Sequence, residues 1–225
     1  MSQKLACTVA RVIAHGERVY TLVLRPERRV PRFRPGQFLH LALDRYDPTG
    51  FWPESRVFSI ASSPDSRDEV RLTYSVKGAF TSRMEAEAVE GRDVWIKLPY
   101  GDFVVDAVAD VALFAGGTGV TAFTAFLEGL AADTTQRVWL AYGARTNDLL
   151  IYRDVLERTA ARAPSLSISY VVAAPLAPDS LWPRLRCPAE TQFYISGPPP
   201  MLRGIGGDLR ARGIAPEAIH IDAWE

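Results

Sequence analysis

The sequence predicts two domains: a six-stranded antiparallel β-barrel over residues 1–105 and an α/β unit with a parallel sheet over residues 106–225. Three observations predict this. As far as about residue 105, short runs with apolar residues at alternate positions are broken by turn-forming prolines and glycines, the pattern of half-buried strands. Beyond it, near-continuous apolar runs alternate with helical stretches, as a parallel sheet covered on both faces requires. At the head of the second part, a buried run passes through Gly116-Gly117-Thr118-Gly119 directly into a helical stretch.

In the first part, residues 6–13, 19–25, 37–43, 57–61, 70–76 and 93–98 read as strands. Pro35-Gly36, Pro48-Thr49-Gly50 and Pro64-Asp65-Ser66 supply turns between them. Six strands joined in this way suggest a closed barrel. A helix over 81–89 interrupts, with Thr81 or Ser82 placed to cap it. In the second part, strands are expected at 108–115, 137–141, 166–173, 192–195 and 218–221. Helices are expected at 121–132, 147–160, 199–212 and, briefly, 180–185.

The composition, 48% apolar and 23% charged over 225 residues, is that of a folded globular protein. Net charge is zero, which gives no reason to expect nucleic acid as a partner. No apolar run approaches the ~18 residues of a membrane span, and no leader-like stretch follows Met1–Leu5, so the expectation is a soluble cytoplasmic protein. Cys7 and Cys187 are too few for a plant-type iron–sulfur cluster, so no ferredoxin domain is fused within these residues. His15, His40 and His220 are scattered and read as ordinary surface or packing histidines; no metal site is expected. Charge is uneven along the chain. Arg25, Arg28, Arg29, Arg32 and Arg34 form a basic run, either a solvated loop or a patch that steers an acidic carrier protein.

Gly117, Gly119 and Ala122 fit a glycine-rich dinucleotide loop. The first allows a tight turn, the second lets backbone approach a pyrophosphate, and the third permits close packing. The helix that follows, starting at Thr121, offers free N–H groups to phosphates. The acid that usually ends the next strand is missing, because that strand closes Leu140-Ala141-Tyr142-Gly143-Ala144-Arg145. A variant nucleotide fold is indicated.

Three more segments complete a set: Arg56-Val57-Phe58-Ser59-Ile60-Ala61-Ser62, Gly78-Ala79-Phe80-Thr81 and Ser196-Gly197-Pro198-Pro199-Pro200-Met201. With the glycine loop, their order and spacing resemble the ferredoxin–NADP reductase family over nearly the whole chain. The resemblance implies a flavin-binding barrel and an NAD(P)-binding α/β domain. It further implies hydride transfer from NAD(P)H to bound FAD, with electrons passed to a ferredoxin-like or oxygenase-type acceptor.

Residue by residue, the resemblance implies that Arg56 holds a flavin phosphate, Phe58 lies against the flavin ring in place of the common tyrosine, and Ser59 sits near its reactive nitrogen, with Val57 between them. Tyr74 and Val76 contact the flavin from the strand edge, and Gly78, Phe80 and Thr81 belong to the phosphate-facing helix start. The connection here is shorter than is usual in the family, so FMN is the alternative to FAD. Thr118 and Ser196 flank the nicotinamide, with Gly197, Pro198 and Met201 at the same loop; Ser196 replaces a frequent cysteine. Trp224 covers the flavin or occupies the nicotinamide position until the nucleotide displaces it, or else caps the core. Arg145 lies beside the nucleotide. Ala173-Ala174-Pro175 carries no cation for a ribose phosphate, which favours NADH over NADPH. Two other functions stay open: an NAD(P)H:flavin reductase that releases free reduced flavin, and a non-catalytic flavin- or nucleotide-binding subunit of a larger complex.

Overall fold

The computed structural model describes residues 2–106 and 108–223 and divides into two compact units, Met1–Val104 and Val105–Glu225. The first unit is a nearly closed antiparallel barrel. Its strands are β1 (Gln3–Ala14), β2 (Val19–Pro26), β3 (Phe38–Ala42), β4 (Ser55–Ser59), β5 (Val70–Ser75) and β6 (Asp93–Tyr100), in the spatial order β4-β3-β6-β1-β2-β5. The alternation read in the sequence becomes the inner lining. Leu5, Cys7 and Val9 of β1 are buried, as are Leu39 and Leu41 of β3 and Val94, Ile96 and Leu98 of β6. The helix α1 (Ala79–Glu87) closes one end by burying Phe80 and Met84 in that core.

β4 begins two residues before the run expected at 57–61. Its ladder with β3 runs from Ser55 opposite Ala42 to Ser59 opposite Phe38. Past that point the chain changes partners: Ile60 N–H donates to Gln37 O at 3.0 Å and Ala61 N–H to Arg71 O at 2.8 Å. Ile60 and Ala61 are buried by this crossing toward β5, not by strand pairing. α1 likewise starts before Thr81. Gly78 is its N-cap, and Thr81 is the third helical residue, whose hydroxyl accepts from the amides of Lys77 (2.9 Å) and Gly78 (3.1 Å).

The second unit is a five-stranded parallel sheet of β7 (Val111–Gly116), β8 (Val138–Ala144), β9 (Leu166–Val172), β10 (Gln192–Ser196) and β11 (Ile219–Asp222), ordered β11-β10-β7-β8-β9. Every residue of β7 is buried, as its central position demands. The helices are α2 (Thr121–Glu128), α3 (Arg153–Arg162) and α4 (Pro199–Ala211). The stretch expected as one helix over 147–160 is a 3-10 turn, Asn147–Leu149, followed by α3, because Tyr152 takes a left-handed conformation (φ 62°) that a continuous helix cannot contain. The helix expected at 180–185 is two 3-10 turns, Pro178–Ser180 and Trp182–Arg184, each with proline in its first turn. α2 is shorter than expected, ending at Glu128 before Gly129.

Candidate functional site

In the barrel, β4 splits the Arg56–Ser59 motif between two faces. Arg56 and Phe58 stand opposite Leu41 and Leu39, whereas Val57 and Ser59 stand opposite His40 and Phe38, as strand alternation requires. The Arg56 guanidinium lies over the Phe80 ring, 5.1 Å from its centroid. Its Nη1 donates to Ser55 O at 2.9 Å and its Nη2 to the Glu54 carboxylate at 3.0 Å. Phe58 meets Tyr74 edge-on, at 6.3 Å and 62°. Tyr74 is buried, and burial first, then the neighbouring Tyr20 and Glu85, push its hydroxyl well above the usual tyrosine range. Val76, just past β5, is half-buried and donates its N–H to Arg18 O at 3.0 Å.

Gly78 follows, exposed, and a Cβ added there would meet nothing within 4 Å. In α1 the first amide to bond back is that of Ser82, to Gly78 O at 2.9 Å. The Ala79, Phe80 and Thr81 amides before it have no acceptor further back in the helix, and no acidic side chain occupies the first turn. Strand β4, the end of β5 and the start of α1 thus assemble a guanidinium, two aromatic rings and an open helix N-terminus. That donor set fits a phosphorylated flavin: Arg56 and the α1 amides suit phosphate, and Phe58 with Tyr74 suits a flat ring.

In the second unit, the chain runs β7, β8, β9 toward one edge and returns to β10 and β11 on the other side of β7. Ligands of open α/β sheets bind at such a reversal, beyond the carboxyl ends of the strands. Here the two loops are the 3-10 turn Gly117–Val120 after β7 and Gly197-Pro198 between β10 and α4. Gly117 has φ 55°, and a Cβ on it would enter open space. Gly119 is different. A Cβ there would lie 2.3 Å from Ser196 O and 2.7 Å from Gly197 N, so its missing side chain serves contact between the two loops. A Cβ on Gly116 would meet Met201 Sδ at 2.6 Å. The glycines fit a nucleotide, with Gly117 as the open backbone and Gly119 as the packing position.

Ser196 is buried, and its Oγ donates to Asp222 Oδ2 at 2.8 Å. Asp222, also buried, carries no motif in the sequence. Only the parallel register Ser196 opposite Asp222 reveals it. Thr121 is buried, with its hydroxyl donating to Thr118 O at 2.7 Å; Thr118 is half-buried and Arg145 exposed in the loop after β8. Pro198 caps α4, and Met201 is half-buried in its first turn. Trp224 lies outside the described residues. Among the described residues no cluster of His, Cys, Asp or Glu could hold a metal ion, and no helix is long and apolar enough to cross a membrane.

Residues 113–206 match the family model of the oxidoreductase NAD-binding domain. The chain is 31% identical over 206 residues to the toluate 1,2-dioxygenase electron transfer component of Pseudomonas putida, across 85% of this chain and 59% of that protein. It is 31% identical over 204 residues to the ferredoxin reductase component of 3-ketosteroid-9-alpha-monooxygenase from Mycolicibacterium smegmatis, across 86% of this chain and 56% of that one. The chain thus spans somewhat over half the length of these relatives. Among solved structures, the flavohem-like FAD/NAD-binding domain of Vibrio cholerae nitric oxide dioxygenase superimposes with a TM-score of 0.83 at 18% identity, covering 98% of both chains. This last likeness is one of fold.

Proposed function

We propose that this chain is a flavin-dependent NAD(P)H reductase of the ferredoxin–NADP reductase-like family, with FAD as its flavin, that passes electrons to a ferredoxin-like or oxygenase-type acceptor; its similarity to an oxidoreductase NAD-binding domain and to electron transfer components of oxygenases supports this. The observation that carries the reading is the grouping of Arg56, Phe58, Tyr74 and the open Gly78 helix start in one barrel. When bound, FAD supplies the redox chemistry, accepting two electrons from a reduced nicotinamide and releasing them singly. The chain supplies placement. Arg56 exchanges its Glu54 partner for a flavin phosphate, the α1 amides hold the same group, and Phe58 and Tyr74 keep water from one side of the ring. In the second unit, backbone amides around Gly117 receive the dinucleotide phosphates, and Ser196, fixed by Asp222, stands at the loop end of β10 beside the nicotinamide.

NADH is the preferred donor in this reading. The exposed, uncharged Ala173-Ala174-Pro175 after β9 offers a ribose phosphate no cation. The names of the relatives support an oxygenase system as the destination of the electrons. The docking surface is the exposed run Arg25, Arg28, Arg29, Arg32 and Arg34. Arg29 is engaged by Asp68 at 3.1 Å, whereas Arg25, Arg28 and Arg32 have no ion-pair partner among the described residues. The exposed free thiol of Cys187 suits a reducing compartment, the cytoplasm.

Binding of riboflavin, FMN and FAD to the wild type and to Arg56→Ala tests the assignment. Loss of a charge-assisted contact predicts FAD and FMN binding weaker by about ten- to a hundredfold, with riboflavin little changed. Equal losses for all three, or none, would contradict it. A flavin reductase that releases reduced flavin is the second reading. It is favoured by one observation: the Arg56 side chain is 52% exposed and already paired, so its ligand could exchange readily. Flavin retained through gel filtration would exclude it.

A further inference from the structure

The β1–β2 turn contains a conformational outlier. Glu17 and Arg18 both have positive φ, 46° and 58°, where glycine, asparagine or aspartate is the easy choice. Such strain persists only where surrounding contacts over-determine it. Arg18 has those contacts at both ends. Its carbonyl accepts from Val76 N–H at 3.0 Å, and its guanidinium grips Glu85 of α1, Nε reaching Oε1 at 3.1 Å and Oε2 at 3.2 Å, with Nη2 on Oε2 as well. The same carboxylate accepts from the Tyr20 hydroxyl at 2.9 Å. Tyr20 packs on Tyr74 at 5.6 Å, and Tyr74 on Phe58.

One residue pair therefore touches each part of the candidate flavin site: the strand end at Val76, the ring pair Tyr74–Phe58 through Tyr20, and the helix whose N-terminus opens at Gly78. We propose that Arg18 and Glu85 are positioning residues for the flavin, fixing α1 and the aromatic pair relative to one another so that ring and phosphate are received together. The inference rests on the barrel being the flavin site. The strained turn is accepted because an asparagine or glycine there could not reach α1.

A test separates positioning from stability. Arg18→Asn keeps a residue that tolerates the left-handed turn but cannot grip Glu85. The apo protein is expected to melt close to the wild type, while the FAD dissociation constant, read by flavin fluorescence, rises about tenfold, within the range of coupled contacts. The visible circular dichroism of the bound flavin should change with it. Glu85→Gln keeps an acceptor for Tyr20 and should recover part of the affinity that Glu85→Ala loses. Asp44→Asn is the control: it removes a different tie to α1, the Arg83–Asp44 pair at 2.9 Å, and should leave FAD binding unchanged. An unchanged dissociation constant and dichroism in Arg18→Asn would overturn the proposal, as would losses that merely follow a lowered melting temperature. A wild type that binds no FAD would instead overturn the flavin site itself.

Discussion

Gly119 has room for a hydrogen and nothing larger. A Cβ 2.3 Å from Ser196 O must push apart two loops, and backbone cannot give way as a flexible side chain does. Gly119→Ala is expected to lower stability by about 1–3 kcal/mol through overpacking. Gly117→Ala meets no atoms and costs only the left-handed conformation, about 1–2 kcal/mol. Urea unfolding of both variants, with NADH affinity measured beside it, distinguishes their roles. Gly119→Ala should show reduced stability and nucleotide binding together, because the Gly197 loop moves with it. Glycine spacing made this loop recognisable in the sequence, but which glycine faces ligand and which faces protein depends on contact with a loop some 80 residues later, roughly one domain length away by usual domain sizes. Asp222 was hidden for the same reason: its partnership with Ser196 exists only through strand register.

The thiols differ in the same local way. Cys7 is buried, and burial followed by the Glu27 charge pushes its thiol well above the ordinary range, which keeps it protonated. Cys187 is exposed. A thiol reagent should modify Cys187 quickly in the native protein and Cys7 only on unfolding. Rapid native labelling of both, mapped by mass spectrometry, would contradict this.

At the scale of elements, α1 is held by a side-chain cap and by ion pairs from two directions. Thr81→Ala removes the acceptor of the Lys77 and Gly78 amides, an expected loss of about 1 kcal/mol, read as a lower urea midpoint. Arg18 holds the Glu85 carboxyl below the usual range, with the Tyr20 bond adding to this. A carboxyl depressed in the folded state stabilises fully above its unfolded pKa, and that contribution disappears as pH falls through the folded value. FAD affinity should therefore fall in acid, below the ordinary glutamate range, and less steeply in Glu85→Gln. Asp44, also held below the usual range by Arg83, is expected to affect the stability of α1 in the same window but not FAD affinity. Equal slopes in the two proteins would show that Glu85 is not the group responsible.

Strand periodicity made most of the barrel legible. It failed at the ends of elements, for physical reasons. Ile60 and Ala61 are as apolar as a strand because they cross the core between β3 and β5. Thr81 looks like an N-cap because it does cap, but from the third position of the helix. The break at Tyr152 had no glycine or proline to announce it. The Arg18–Glu85–Tyr20 set left no trace, since a turn, a strand and a helix contribute one ordinary residue each.

At the scale of the whole molecule, the chain joins an all-β unit to an α/β unit, each with its own core. Zero net charge hides a concentrated basic run in the first. If Arg28 and Arg32 steer an acidic acceptor, Arg28→Glu/Arg32→Glu should slow reduction of such a protein at low salt, and the difference should shrink as salt rises. Reduction of ferricyanide, a small acceptor, should be unaffected.

The proposed function requires that this chain bind FAD and let NADH reduce it. An anaerobic absorbance titration of the FAD-reconstituted protein tests this most directly. Stoichiometric NADH should bleach the flavin band, NADPH should do so more slowly, and air should restore it. A protein that binds FAD but leaves the band intact with both nucleotides would contradict the account.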